Sequence, residues 1–115
     1  MANVTHQTED GIEIFRIEGK LDSEGIHQLK SKVLPYIENP KVDKVLLALE
    51  KATTANSATI GLLISFHKNM VHREALFVLC DLNDYLLELI HMVRLQEVFY
   101  IYPSFEEAMT FLKNS

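Results

Sequence analysis

The sequence has few of the residues that build disulfides, metal sites and phosphate-binding loops. Its 115 residues contain one cysteine, Cys80, so no disulfide can form within the chain, which fits a reducing compartment. The four glycines include no Gly-x-Gly pattern, and the five histidines do not pair with one another or with Cys80 at metal-ligand spacing. We therefore expect a domain that uses neither a metal nor another cofactor.

Long apolar runs and basic clusters are also missing. No apolar stretch approaches the roughly 20 residues of a membrane-spanning helix, and the N-terminal segment lacks the charged-then-apolar pattern of a secretory signal. Lys and Arg number 11 against 16 Asp and Glu, a net charge of −5, with no basic stripe for nucleic acid. We expect a cytoplasmic protein that inserts into no membrane, binds no nucleic acid and meets other proteins.

No set of side chains converges on a catalytic arrangement. Cys80 ends an apolar run and precedes Asp81, whose carboxylate disfavours a thiolate, so we expect Cys80 to be a small core residue. Glu106 and Glu107 occupy adjacent helix positions, which point apart. His67 is expected to be a partly buried helix residue. The sequence predicts no catalytic residue and no enzymatic activity.

The N-terminal half has the pattern of a β-hairpin followed by a helix and a buried strand. Asp10-Gly11 is a two-residue hairpin turn, in which glycine tolerates the positive φ required. Pro35 should end or kink the helix early, and residues 51–55 should form a loop. The elements in order are a weak strand over 3–9, an alternating strand over 12–18, a helix over 26–37 and an apolar strand over 45–49.

The C-terminal half alternates helices and strands. Ser104 and Glu107 match a capping box, in which the Ser hydroxyl meets the N–H of Glu107 and Glu107 reaches back. We predict a single α/β domain over 1–115: an N-terminal β-hairpin and βα repeats forming a mixed, mostly parallel sheet of about five strands with about four helices. The predicted elements are a helix over 60–70, a strand over 75–80, a helix over 86–93, a strand over 98–102 and a helix from 105.

The turn over 56–61 is the best candidate for a functional site. It connects the apolar strand to the second helix, and the free N–H groups at such a helix start suit an anion, a phosphate or a docking partner. The simpler interpretation of Ser57 and Thr59 is N-terminal capping, and Asn56 is expected to be the N-cap.

Four elements, the last of which consists of two C-terminal stretches, stand in an order and at distances that resemble the STAS domain family, whose best-known members are bacterial anti-sigma factor antagonists. The likeness covers nearly the whole chain and implies the fold predicted above. The segments are Gly19-Lys-Leu-Asp22, Leu47-Ala-Leu49, Asn56-Ser-Ala-Thr-Ile-Gly61 and the C-terminal stretches Arg94-Leu-Gln-Glu-Val-Phe99 and Tyr102-Pro-Ser-Phe-Glu-Glu-Ala108.

The resemblance implies a partner switch. In the family, a kinase-type anti-sigma factor binds the unmodified antagonist and phosphorylates the second Ser of the turn, which ends the binding because about −1.5 to −2 charge is added. Carried over to this chain, the acceptor position is Ala58, which has no hydroxyl. The family's Asp at the start of the turn is Asn56, its Gly after the acceptor is Thr59, and its Asp in the preceding strand is Ala48.

Three interpretations of this departure stay open. The module is unswitched and held in a binding-competent state; or Ser57 or Thr59 accepts the phosphate instead; or the turn is only a helix start in a domain with another role. Adjacent helix residues differ in direction by about 100°, so a kinase directed at position 58 would find either neighbour badly aimed.

The expected partner, implied by the resemblance, is a serine kinase-type anti-sigma factor or a related partner-switching protein. The alternatives are an accessory subunit of a membrane transporter ATPase and a small module that binds an anionic ligand, and a homodimer stays open. We expect the partner-binding residues to be Lys51, Thr53, Thr54, Asn56, Ser57, Ala58, Thr59, Ser65, Lys68 and Asn69.

Overall fold

A computed structural model describes residues 2–115 as five strands and four helices in alternating order after an N-terminal hairpin. The sheet order is β1-β2-β3-β4-β5, with β1 antiparallel to β2 and all other pairs parallel. The predicted fold class is confirmed. The elements are β1 Ala2–Glu9, β2 Ile12–Lys20, α1 Ser23–Ile37, β3 Lys44–Thr54, α2 Ser57–His72, β4 Leu76–Cys80, α3 Asp84–Met92, β5 Tyr100–Tyr102 and α4 Phe105–Lys113.

The hairpin turn forms at the predicted dipeptide. Asp10 and Gly11 both have positive φ, 50° and 77°, and Glu9 faces Ile12 across the turn. Two residues with positive φ give the turn the twist that antiparallel strands require. The hairpin places β1 at one edge of the sheet.

The sheet is covered on both faces by apolar cores. Helices α1, α2 and α3 pack on one side, the three-helix face, where Phe15, Leu47 and Leu63 are fully buried. Helix α4 packs on the other side, the α4 face, where Ile14 and Leu112 are fully buried. Because successive side chains of a strand point to opposite faces, the apolar runs of β2 and β3 serve both cores.

One of the two effects predicted for Pro35 is absent, and one boundary prediction is wrong. Helix α1 does not end early, because it continues through Pro35 to Ile37, whose fully buried side chain holds the last turn against the core. Residues 51–54 are not a loop, because β3 continues to Thr54 along β2, where Ala52 faces Gly19. Smaller differences concern α2, which begins at Ser57, and the short strand β5, which begins at Tyr100.

Half of the predicted capping box at α4 is present. The backbone N–H of Glu107 donates to the Ser104 hydroxyl at 3.2 Å. Among residues 2–115, no hydrogen bond joins the Glu107 side chain to the Ser104 backbone. In the same described part of the chain, every helix is too short or too polar to cross a bilayer.

Candidate functional site

A reciprocal capping box fixes the start of α2. The Asn56 side-chain oxygen accepts hydrogen bonds from the backbone N–H groups of Ala58, at 2.9 Å, and Thr59, at 3.2 Å. The Thr59 hydroxyl accepts one from the Asn56 backbone N–H at 3.1 Å, and the Ile60 N–H bonds the Asn56 carbonyl. Asn56 is therefore the N-cap, as predicted, and the amides of residues 58, 59 and 60 are already bonded.

Thr59 has a structural position rather than an exposed one. Its side chain is fully buried, and its hydroxyl donates to the Leu21 carbonyl at 3.3 Å. Leu21 in turn donates its N–H to the Thr54 carbonyl at 3.1 Å. Thr59 therefore ties α2 to the end of β2, and neither a kinase nor a docking partner can reach its hydroxyl in this conformation.

Ser57 and Ala58 are exposed in the first turn of α2, and an open stripe continues from them along the helix. The spacings of three and four residues place these exposed positions one above another on the helix surface. The Asn69 amide donates to the Ser65 carbonyl at 3.2 Å, which holds that side chain along the stripe. We call this stripe the α2 surface; it consists of Ser57, Ala58, Gly61, Ser65, Lys68 and Asn69.

The predicted partner-binding residues do not all lie together. Lys51 lines a cavity on the α4 face, away from the α2 surface. Thr53 and Thr54 are exposed at the end of β3, beside the start of α3. The structure therefore groups Ser57, Ala58 and the α2 positions and separates Lys51 from them.

Two residues beside the turn, Asn83 and Tyr85, are absent from the site predicted from the sequence. Asn83 caps α3 by accepting from the Leu86 N–H at 2.9 Å, and its amide also donates to the Ala52 carbonyl. The Tyr85 hydroxyl donates to the Ala55 carbonyl at 3.0 Å, while 52% of the residue stays exposed. Both residues hold the segment that leads into α2, and Tyr85 adds an exposed aromatic ring beside the turn.

Cys80 and His67 lie in apolar surroundings. Cys80 is fully buried, and burial together with the neighbouring Asp81 carboxylate raises the pKa of its thiol far above the usual range. His67 is half-buried against Phe99, with ring centroids 5.4 Å apart, and burial lowers its pKa. Within residues 2–115, no three His, Cys, Asp or Glu side chains converge as a metal site.

Comparison with known proteins gives one family and several similar folds. The STAS domain family model matches residues 3–108. A Thermotoga maritima protein described as a candidate anti-sigma factor antagonist has a TM-score of 0.86 at 21% identity, over 93% of this chain and 92% of that one. An anti-sigma factor antagonist (STAS) domain protein from Planctomyces limnophilus has a TM-score of 0.83 at 22% identity, over 97% and 98%.

A third similar structure is the Bacillus cell fate determinant SpoIIAA in its phosphorylated form, with a TM-score of 0.76 at 15% identity, over 96% of this chain and 99% of that one. At these identities the structures agree in fold, and the family model carries the assignment. The mixed five-stranded sheet and the match over residues 3–108 lead to one conclusion: this chain belongs to the STAS domain family.

Proposed function

We propose that this chain is a non-enzymatic, cytoplasmic regulator of the anti-sigma factor antagonist type, which binds a kinase-type anti-sigma factor through the α2 surface. We further propose that phosphorylation does not switch this binding. The observation that carries the proposal is Ala58, an exposed methyl group at the position where the family resemblance implies a phosphoacceptor serine.

The α2 surface suits docking because it combines accessibility with a fixed backbone. Its first turn is held by the reciprocal bonds between Asn56 and Thr59. The turn is therefore already ordered, so little conformational entropy is lost in this chain when a partner binds it. The exposed positions Ala58 and Gly61 are small, which allows close approach of another backbone.

Relocation of the acceptor has limited support from the geometry. Thr59 is fully buried and its hydroxyl is engaged with Leu21. Ser57 is exposed and chemically available, but its side chain projects about 100° away from that of Ala58 around the helix. Of the two alternative acceptors, Ser57 is thus the one whose hydroxyl a kinase could reach.

Isothermal titration calorimetry against the anti-sigma kinase from the same genome tests the docking proposal. We expect the wild type to bind, and Ala58→Glu, which introduces a charge in the first turn of α2, to weaken binding about tenfold or more, since burying an unpaired charge is costly. Thr110→Glu adds the same charge on the exposed side of α4 and should leave binding unchanged. No binding by a folded wild type contradicts the proposal.

Affinity capture from the source cell separates the rival functions. Recovery of a transporter ATPase, with no binding to the kinase, favours the accessory-subunit alternative. An anionic ligand at the α2 start is disfavoured because Asn56 already occupies the amides of Ala58 and Thr59. Saturable phosphate binding that Asn56→Ala strengthens would favour that alternative.

A further inference from the structure

A cavity of about 320 Å³ opens on the α4 face, beside the start of α4. This volume lies at the lower end of the range of small-molecule sites. Helix α4 contacts β3, β4 and β5, and its first residue, Phe105, forms one wall of the cavity. Five of the other lining residues are charged, namely Arg16, Glu18, Glu50, Lys51 and Asp81, and the remaining four are uncharged.

These five charges form no ion pairs with one another. The ion pairs found within residues 2–115 involve His6 with Glu13, and Lys113 with Glu9 and Asp10. The cavity therefore brings two cations and three carboxylates together without pairing them with one another. A ligand that carries both signs of charge has a partner for each of its groups there.

The backbone supplies two features that direct charges into this cavity. The register between β2 and β3 shifts after Arg16, which faces Ala48, so that Glu18 faces Lys51. This β-bulge inserts one extra residue into β3 and brings consecutive residues Glu50 and Lys51 to the same cavity. A β-bulge redirects the side chains of the bulged strand, and bulges are over-represented next to active sites.

Asp81 is the second such feature. It follows β4 directly and adopts φ 55°, the left-handed region that most residues avoid and that aspartate tolerates better than most. Its N–H bonds the Tyr102 carbonyl at 3.3 Å, which holds this conformation. The turn places a carboxylate at the carboxyl end of a parallel strand, where α/β sheets commonly bind ligands.

The Arg16 guanidinium lies over the Phe105 ring, 4.3 Å from its centroid. This stacking orients a planar group with several donors toward the cavity without using those donors. A guanidinium binds a carboxylate especially well, because two parallel N–H groups can donate to the two carboxylate oxygens. Arg16 is therefore the candidate group for binding an anion, and Glu50 and Asp81 are candidate groups for binding a cation.

We propose that this cavity binds a small zwitterion of the free α-amino acid class, with the ligand carboxylate on Arg16 and its ammonium group on Glu50 and Asp81. Three carboxylates against two cations favour an amino acid with a basic side chain over an acidic one. The cavity carboxylates do not converge as a metal site, so the organic ammonium is the better match. The site is independent of docking through the α2 surface.

Titration of the isotopically labelled full chain with L-lysine, L-arginine and L-glutamate, followed by NMR, tests this proposal. We expect saturable shifts of cavity residues with the basic amino acids, at a Kd of about 1 mM or tighter, and at least about tenfold weaker binding of L-glutamate. Absence of saturable shifts, or tighter binding of L-glutamate, overturns the proposal.

Variants identify the groups responsible. Arg16→Met keeps an apolar chain over Phe105 but removes the charge, and Asp81→Asn removes one carboxylate; each should weaken L-lysine binding about tenfold or more, the usual effect of losing a charge-assisted hydrogen bond. Glu88→Gln, exposed on α3, is the matched control and should change nothing. If Asp81→Asn fails to fold, Glu50→Gln takes its place. Binding unaffected by Arg16→Met overturns the assignment.

Discussion

Ala58 occupies the second position of α2, where a side chain is exposed while its amide is held by Asn56. A serine hydroxyl at that position would face solvent. The backbone around position 58 is thus compatible with a phosphoacceptor, and the Ala58 side chain lacks the reacting oxygen. The substitution Ala58→Ser restores the hydroxyl while Asn56 and Thr59, which also differ from the family's turn, stay unchanged.

We predict that Ala58→Ser accepts one phosphate from the cognate anti-sigma kinase and ATP, whereas the mass of the wild type stays unchanged. The reason is the exposure of position 58 and the absence of a hydroxyl on alanine. Intact-protein mass spectrometry gives the result, and Ala58→Ser combined with Ser57→Ala controls for the neighbouring hydroxyl. Phosphorylation of the wild type, mapped to Ser57, would disprove the unswitched interpretation.

Asn56 is predicted to stabilise the fold as well as the docking turn. Replacing it with alanine removes the oxygen that accepts from two backbone amides, so the free energy of unfolding should fall by about 1 kcal/mol and at most about 2. Urea denaturation followed by circular dichroism measures the change. Asn69→Ala, which alters an exposed asparagine of the same helix, should stay within about 0.5 kcal/mol. Equal effects of the two substitutions would refute a capping role.

At the scale of elements, α1 contains a proline in its last turns. Pro35 has no N–H, so one carbonyl of the preceding turn lacks its usual helical donor, yet the helix continues to Ile37. Residues Leu29, Val33 and Ile37 are fully buried on one side of this helix. Tertiary packing therefore outweighs the local preference to end.

Pro35→Ala should make the protein more stable by about 1 to 3 kcal/mol, because alanine restores the donor and favours helix at an exposed position. Chemical denaturation of the variant against the wild type tests this. Lys30→Ala is the control, since lysine and alanine differ little in helix propensity. If Pro35→Ala were less stable than the wild type, the dominant effect of Pro35 would be to lower the conformational entropy of the unfolded chain, and the prediction would be wrong.

Elements could be predicted from the sequence where the signal is local. The Asp10-Gly11 turn and the Asn56 cap depend on residues within four positions of each other, and both are present. The extension of β3 could not be predicted, because its polar end is held by pairing with β2. The same holds for Tyr85, whose hydroxyl reaches Ala55 from 30 residues away. The prediction that Lys51 joins the docking site is not supported by its position, because a bulge in the extended part of β3 turns Lys51 to the α4 face.

At the scale of the whole molecule, one sheet separates two hydrophobic cores, one on each of its faces. The three-helix face buries residues from α1, α2 and α3, whereas the α4 face depends on a single nine-residue helix. Strands β2 and β3 contribute apolar side chains to both faces. Losing either core would expose one side of these strands to water, which couples the stability of the two faces.

We therefore predict a single unfolding transition, as expected if residues 1–115 form one domain. The ring signals of Tyr36, packed on Phe15 of the three-helix face, and of Tyr102, packed on Phe111 of the α4 face, should disappear at the same urea concentration. Leu63→Ala and Leu112→Ala, one in each core, should each lower the free energy of unfolding by about 2 to 5 kcal/mol with an unchanged denaturant slope.

Met92→Ala provides the control for these core substitutions, because 73% of Met92 is exposed and its removal creates no cavity. If Leu112→Ala shifted the Tyr102 transition and left that of Tyr36 in place, α4 would be a separately unfolding unit. The cavity beside Phe105 would then lie on the less stable part of the molecule, and ligand binding there would raise the stability of α4 alone. Coincident transitions instead require that a ligand in the cavity stabilise both faces equally.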